Sequence, residues 1–342
     1  MDGTAATPRS ARLAQTTSVA GVARPSIRRP ATLEILLSIL HSRPALALLA
    51  ALAAAPALPA TAQQLAITWD DLPAHGPLPP GETRVEIAQK IITAMQQAKL
   101  PPAYGFVNGV QTQNEPASTP VLQLWRDAGL PLGNHTWSHM NLNTNPLADW
   151  EQDVTRNEAM LQKYMGDADW RWLRYPYLAE GDTAATRAAG RRFLAGRGYK
   201  VATVTMGFGD YLYNEPYARC VAKKDSAAIA RLESSYFAAA DAAIVYSRSL
   251  SKALYGHDIP YVLLMHVGAF DARMLPRLLA LYRERGFRFV TLEEAESAPF
   301  YRNAIDPGLP SSPDSLEAAM TARGLPLPPA PGPGLDLDAL CR

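Results

Sequence analysis

Short apolar runs alternate with longer segments of helical periodicity from Gln63 to about residue 296. The apolar runs have the length of buried strands, and the segments between them repeat apolar residues at helical spacing. The predicted strands are Leu65–Trp69, Ala103–Val107, Leu130–Asn134, Trp170–Tyr175, Lys200–Met206, Tyr261–His266 and Phe287–Leu292. The predicted helices are Thr83–Ala98, Ser118–Asp127, Pro146–Tyr164, Thr183–Gly196, most of 222–255, Ala272–Arg285 and a short last helix from Glu293. This alternation predicts an α/β fold with a parallel sheet, and its regular repeat favours a closed or nearly closed barrel.

The first 62 residues differ in composition from the rest of the chain. An apolar run, Ala45–Leu58, follows a charged stretch and precedes small residues ending at Ala62, an order typical of a secretory signal. The run is too short and too interrupted by proline to predict a membrane span. Residues 1–40 are long, polar and rich in arginine for such a signal, which leaves a disordered tail with an N-terminal anchor as the alternative. We expect residues 1–62 to be a cleaved presequence and the protein to be exported, periplasmic or extracellular, with no stable membrane span after processing.

The remaining residues divide into a domain and a tail. Residues 63–300 have room for one catalytic domain of ordinary α/β-barrel size. Within it, residues 222–255 are longer than one crossover between strands requires, so we expect a helical insertion there. From Pro307 the chain is rich in proline, glycine and leucine, and we expect residues 301–342 to form a mobile tail.

Charge and cysteine content narrow the class of protein. The 33 basic and 32 acidic side chains nearly cancel, and no Lys/Arg stripe is interleaved with aromatics, so a nucleic acid partner is not expected. No Gly-x-Gly-x-x-Gly follows a predicted strand, which argues against dinucleotide binding. Cys220 and Cys341 are too few for a disulfide scaffold and lack Cys-x-x-Cys spacing. Whether they pair in an exported protein stays open.

Two aspartates and two histidines have the types and spacing of a metal site. Asp70 and Asp71 end the first predicted strand, where barrel enzymes build active sites, and adjacent carboxylates on an extended backbone point in different directions. His135 and His139, two of only six histidines, are spaced i and i+4, which on a helical turn places both imidazoles on one face. Two imidazoles and a carboxylate are an adequate ligand set for Zn²⁺. Taken singly, each motif also fits an ordinary loop aspartate or a structural histidine.

Further polar residues follow later strands. Arg174 is able to hold a carboxylate with two hydrogen bonds, and proline at position 176 fixes a turn from which a following backbone N–H can face an oxyanion. His266 ends an apolar strand, which suits a general acid whose pKa is set by a nearby carboxylate, and Asp210 offers that carboxylate.

Four motifs, in this order, resemble the polysaccharide deacetylases with the NodB homology domain, also called carbohydrate esterase family four. Thr68–Asp71 is similar to the family's Thr-Phe-Asp-Asp, and His135–His139 to its His-(Ser/Thr)-x-x-His. Arg174–Tyr177 is similar to its Arg-x-Pro-Tyr, and Leu263–His266 to its Leu-x-x-His. A fifth family motif, Asp-x-x-Asp-Trp, is degenerate, with glycine at 207 and tyrosine at 211. The resemblance covers about residues 64–296.

The resemblance implies a distorted (β/α) barrel of about seven strands and a role for each motif residue. Asp70 would be the general base and His266 the general acid. Arg174 would orient Asp70, Asp210 would orient His266, and the Tyr177 backbone N–H would stabilise the oxyanion. The residues implied to bind a divalent ion, zinc or else cobalt, are Asp71, His135 and His139.

The implied function is metal-dependent removal of N-acetyl groups from amino sugars of a glycan such as peptidoglycan or chitooligosaccharide. The motifs specify hydrolysis and leave the acyl donor open, so a formamide on a lipid-linked sugar and a glycan O-acetyl ester are alternatives. A catalytically inactive carbohydrate-binding barrel is a further alternative, which the intact motif residues disfavour. His75, in the loop just after Asp71, could lean into the cleft, but we expect it to be a solvated loop histidine, and neither His75 nor His257 receives a role.

Overall fold

The computed structural model describes residues 63–342, which form one parallel sheet flanked by helices. The strands are β1 Gln63–Leu72, β2 Gly105–Val107, β3 Leu132–Asn134, β4 Trp172–Leu173, β5 Lys200–Val201, β6 Tyr261–His266 and β7 Phe287–Phe289. The helices are α1 Arg84–Gln97, α2 Gln111–Asn114, α3 Pro120–Asp127, α4 Leu147–Met165, α5 Ala184–Gly196, α6 Asn214–Ala222, α7 Ser226–Tyr255, α8 Ala269–Glu284, α9 Leu292–Glu296, α10 Arg302–Ile305 and α11 Leu316–Ala322. The expected signal segment within residues 1–62 lies outside the described residues.

The sheet has the order β5-β4-β3-β2-β1-β6, and β7 pairs with the first residues of β1. Every pairing is parallel, as crossover helices between successive strands require. The segment after β5 returns to β6 through a bridge between Met206 and Leu263, which curls the sheet toward closure. The expected α/β architecture, a distorted barrel of about seven strands, is thereby confirmed.

Several strands are shorter than predicted, and just beyond β5 side chains take over the backbone hydrogen bonds. The predicted strands Trp170–Tyr175 and Lys200–Met206 are reduced to β4 and β5, two residues each. Beyond β5, the Ala202 carbonyl accepts a hydrogen bond from Arg174 Nε at 2.8 Å, and the Thr203 N–H donates to Glu296 Oε1 at 2.7 Å. Buried backbone groups need partners, and here polar side chains inside the barrel supply them.

Close packing inside the barrel fixes the strand that leads to His135. A Cβ on Gly133 of β3 would lie 2.6 Å from the Phe106 ring and 2.9 Å from the Trp172 carbonyl oxygen. Only glycine lets β3 approach its neighbours this closely. The next residues, Asn134 and His135, are consequently held at the sheet edge with little room to shift.

The segment expected to be a helical insertion is one 30-residue helix, α7. Asp225 caps its first turn by accepting a hydrogen bond from the Ala228 N–H, and Gly256 ends it in the left-handed conformation. Its buried face, which includes Leu232, Tyr236 and Ile244, joins the main core. No helix within residues 63–342 combines the length and the apolar character needed to cross a membrane.

The C-terminal segment, which we expected to be a mobile tail, packs against the domain. Leu316 and Met320 of α11 are buried in the main core, as is Leu340 farther along the chain. Cys341 forms a disulfide with Cys220 of α6. Proline and glycine keep most of this segment out of regular structure, but its apolar residues are still buried against the main core.

Candidate active site

The motif residues meet at the carboxyl edge of the sheet. Asp70 of β1 lies in register beside His266 of β6, so the parallel pairing places a carboxylate next to an imidazole. His135 directly follows β3 and Arg174 directly follows β4. Carboxyl ends of parallel strands share one edge, which explains how residues far apart in sequence come together.

His135 and His139 converge without the helical turn that their spacing predicted. Residues 135–139 contain no helix, and Thr136 and His139 both have left-handed backbone conformations, with φ values of 59° and 60°. The Thr136 N–H donates to Asn134 Oδ1 at 2.8 Å, and Thr136 Oγ1 accepts from the Met140 N–H at 2.9 Å. Local side-chain hydrogen bonds therefore hold a tight loop in which both imidazoles turn toward Asp71, itself at φ 63°.

Asp71, His135 and His139 place three possible metal-binding atoms within 4.8 Å of one another. Asp71 Oδ1 lies 3.5 Å from His135 Nε2 and 3.5 Å from His139 Nε2. A tetrahedral ion about 2.1 Å from nitrogen and oxygen ligands separates neighbouring ligands by about 3.4 Å. The residues therefore fit a divalent ion by donor type and by spacing.

Contacts around the histidines favour the protonation states that ligands need. His135 Nδ1 lies 2.7 Å from the Arg174 carbonyl oxygen, which can only accept, so Nδ1 carries the proton and Nε2 keeps its lone pair. Burial and the neighbouring charge of His135 lower the pKa of His139 to about 4, which leaves its imidazole neutral at pH 7. Burial alone would raise the pKa of Asp71, but a hydrogen bond from His75 and the charges of His135 and His266 outweigh it and lower that pKa.

Asp70 is held by Arg174 beside the ligand cluster. Arg174 Nη1 lies 3.2 Å and 3.3 Å from the two Asp70 carboxylate oxygens, and both side chains are buried. Arg174 Nη2 donates to Thr68 Oγ1 at 3.0 Å, so the guanidinium is itself fixed. Asp70 Oδ2 also lies 3.6 Å from His135 Nε2. The second carboxylate of the pair is thus oriented by the arginine at the margin of the ligand set.

His266 and Asp210 form a second buried ion pair. His266 Nδ1 lies 3.1 Å from Asp210 Oδ1, and the His266 backbone N–H donates to Asp210 Oδ2 at 2.7 Å. Burial would lower the pKa of His266, but the Asp210 carboxylate raises it to about 10. Nδ1 is engaged with Asp210, so the remaining nitrogen, Nε2, is the one able to give a proton to a substrate.

Tyr177 and Tyr211 stand on either side of these groups. Tyr177 occupies a left-handed turn at φ 58° and is 68% exposed, and the centroid of its ring lies 4.5 Å from that of His139. Tyr211, in the degenerate motif, is 46% exposed and lies 5.2 Å from the His266 ring. An open groove of ≈ 390 Å³ connects His139 with Tyr177 and is lined mainly by polar side chains.

The sequence interpretation missed His75. This residue is not a solvated loop histidine, because its Nδ1 lies 2.8 Å from Asp71 Oδ2 and its ring centroid 4.7 Å from that of His266. The one sequence signal for it is the spacing of four residues from Asp71. In contrast, His257 lies away from the site, in the loop before β6, and contacts the Asp258 carbonyl.

Residues 58–194 match a family model, and its description is polysaccharide deacetylase. No curated protein matches the chain. Among solved structures, the chitin deacetylase from the fungal pathogen Colletotrichum lindemuthianum is 21% identical, with a TM-score of 0.45 over 70% of this chain and 91% of that one. A family 4 carbohydrate esterase from Streptomyces lividans is 18% identical, with a TM-score of 0.43 over 68% and 95%. A pseudoenzyme of the same family from Bacillus anthracis is 13% identical, with a TM-score of 0.45 over 68% and 65%.

The matched segment contains Asp70, Asp71, both ligand histidines and Arg174, and it ends before the Asp210–His266 pair. The motifs on both sides of that limit meet at one edge of the sheet. Over residues 58–194, the chain is similar to the polysaccharide deacetylase family.

Proposed function

We propose that this protein is a metal-dependent hydrolase that removes N-acetyl groups from the amino sugars of a polysaccharide or oligosaccharide, of the peptidoglycan or chitooligosaccharide type. The observation that carries the proposal is that the potential metal-binding atoms of Asp71, His135 and His139 lie beside two buried ion pairs. These pairs are Asp70 with Arg174 and His266 with Asp210. One pair offers a carboxylate that can take a proton, and the other offers an imidazolium that can give one. Hydrolysis of an amide needs both groups.

The family resemblance assigns the divalent ion to Asp71, His135 and His139, with zinc favoured by the mixed nitrogen and oxygen donors. When bound, such an ion supplies Lewis acidity and lowers the pKa of water from about 15.7 to about 7. Asp70, held by Arg174, accepts the proton of the water that attacks the acetyl carbonyl carbon. The Tyr177 backbone N–H is proposed to donate to the oxygen of that carbonyl.

His266 completes the reaction at the leaving group. Its pKa of about 10 keeps the imidazole protonated at neutral pH, with Nδ1 bound to Asp210. Nε2 donates its proton to the amide nitrogen as the carbon–nitrogen bond breaks. The products are acetate and a free amino sugar, and the polar groove beside Tyr177 offers room for the hydroxyl groups of neighbouring sugars.

Export is part of the proposal. It rests on the signal-like composition of residues 1–62 and on the disulfide between Cys220 and Cys341, a type of bond that persists in oxidising compartments. Peptidoglycan and other exported glycans would then be accessible substrates.

Acetate release from N-acetylglucosamine oligomers and from peptidoglycan tests the proposal. We expect release that a chelator abolishes and added Zn²⁺ restores. Asp70→Asn should keep the metal and lose about 10²- to 10⁴-fold in turnover, whereas Asp71→Asn should lose metal affinity. A zinc-loaded protein that releases no acetate from either glycan would contradict N-deacetylation, and normal turnover by Asp70→Asn would contradict the role of Asp70.

A further inference from the structure

The two oxygens of the Asp71 carboxylate have different partners. Oδ1 faces His135 Nε2 and His139 Nε2, each at 3.5 Å. Oδ2 lies 2.8 Å from His75 Nδ1. An ionised carboxylate only accepts hydrogen bonds, so His75 Nδ1 is the donor. One oxygen is therefore left for an ion and the other is occupied by a histidine.

His75 is packed into the site. Its side chain is 17% exposed, as is that of Asp71. Its ring centroid lies 4.7 Å from that of His266 and 6.4 Å from that of Tyr211. Packing against these two rings limits the directions in which His75 Nδ1 can point.

The loop that carries His75 is anchored from outside the site. Arg84, at the start of α1, donates from Nη1 to the His75 carbonyl at 2.9 Å and from Nη2 to the Gly76 carbonyl at 2.7 Å. Its Nε donates to both Glu115 carboxylate oxygens, at 3.1 Å and 3.0 Å. Gly76 has φ 64°, and a Cβ there would lie 3.2 Å from the Asn214 Cβ. These contacts restrict the backbone of the loop and thereby fix the position of the His75 side chain.

We infer that His75 is a positioning residue that fixes Asp71 as a ligand through a single oxygen, Oδ1. A carboxylate that rotates freely can present either oxygen, or both, to an ion. Binding then has to remove this rotational freedom. A hydrogen bond to Oδ2 holds the binding orientation in advance. His75 lies four residues beyond Asp71, outside the segment Thr68–Asp71 that resembles the family motif. The inference rests on the metal site of the proposed function.

Zinc affinity of the purified full-length protein, measured by competition with a chromogenic chelator, tests this role without relying on turnover. His75→Phe keeps an aromatic ring and removes the donor, and we expect Zn²⁺ binding about 10- to 100-fold weaker. His75→Asn places an amide N–H near the position of Nδ1, and we expect it to restore most of the affinity. His257→Phe, the same change in a loop away from the site, is the matched control and should bind as the wild type does.

Unfolding midpoints of the metal-free proteins show whether each variant is folded. A folded His75→Phe protein with wild-type zinc affinity would overturn the inference. So would His75→Asn binding as weakly as His75→Phe, because the hydrogen bond would then not be the cause. A wild-type protein that binds no zinc would refute the proposed function itself, and zinc binding without acetate release would refute the substrate while leaving the role of His75 intact.

Discussion

The proton on His266 depends on the charge of Asp210. The carboxylate lies 3.1 Å and 3.2 Å from His266 Nδ1 and raises the pKa of His266 from 6.5 to about 10 against the effect of burial. Asp210→Asn keeps the side-chain shape and an acceptor for the His266 backbone N–H, but it removes the charge. We expect the pKa of His266 to fall by about 2 to 3 units, which corresponds to about 3 to 4 kcal/mol less stabilisation of the imidazolium.

This change should appear as a shifted pH dependence. With a pKa of about 10, the wild-type imidazole is about nine-tenths protonated at pH 9, whereas a variant with a pKa of about 7 to 8 is about one-tenth protonated or less. A general acid works only when protonated, so turnover of the variant should decline at lower pH than that of the wild type.

Titration of the metal-free, ¹³C-histidine-labelled protein by NMR measures the pKa directly, with the His266 signal assigned by its loss in His266→Gln. Asp169→Asn removes an exposed carboxylate that pairs with Lys200 and serves as the matched control. An unchanged His266 pKa in Asp210→Asn would refute the electrostatic account of this pair.

Three further predictions concern stability and are checked by urea unfolding. Gly133→Ala should cost about 1 to 3 kcal/mol, because the added methyl group meets the Phe106 ring at 2.6 Å; an unaffected midpoint would contradict the close approach. Cys220→Ser should cost about 2 to 5 kcal/mol, because the disulfide closes a loop with a sequence separation of 121, and added reductant should destabilise the wild type but not the variant. Glu296→Gln should be stabilising at high pH. Burial raises the pKa of Glu296 to about 8, so the free energy of unfolding of the wild type should decrease as pH rises from about 4.5 to about 8. Relative to the wild type, the variant should gain up to about 5 kcal/mol in stability over that window. A gain that does not change with pH would contradict this reasoning.

The parallel α/β architecture and the edge of the sheet that carries the site could be predicted from sequence, because each motif lies at or after the end of an apolar run. Asp70 and His266 end predicted strands, and parallel strands bring their carboxyl ends together whatever the loops do. The i, i+4 spacing of His135 and His139 also indicated convergence correctly. The prediction of a helical turn over these residues was wrong. The Asn134 and Thr136 side chains accept hydrogen bonds from backbone N–H groups and hold a non-helical loop instead.

Features that depend on long-range contacts could not be predicted. His75 lies two residues after Pro73, in a loop without strand or helix periodicity, and its position depends on a hydrogen bond from Arg84 of α1. The C-terminal segment has the composition of an unpacked tail, but Leu316 and Leu340 find partners on a surface that the rest of the fold creates. The composition of a segment predicts its conformation in isolation, whereas its burial depends on the surface that the rest of the folded domain offers.

The left-handed residues around the ligands have a consequence for engineering by directed evolution. Asp71, Thr136 and His139 all hold left-handed conformations, which aspartate and histidine tolerate better than most residues, whereas Thr136 is β-branched and its conformation costs about 1 to 2 kcal/mol. In a library screened for heat resistance alone, glycine or asparagine at position 136 would relieve this backbone cost but would lose the hydrogen bond from the Met140 N–H to Thr136 Oγ1. Selection for thermal stability and selection for turnover therefore conflict at the loop formed by residues 135–139. A screen that ignores turnover should accumulate substitutions in this loop.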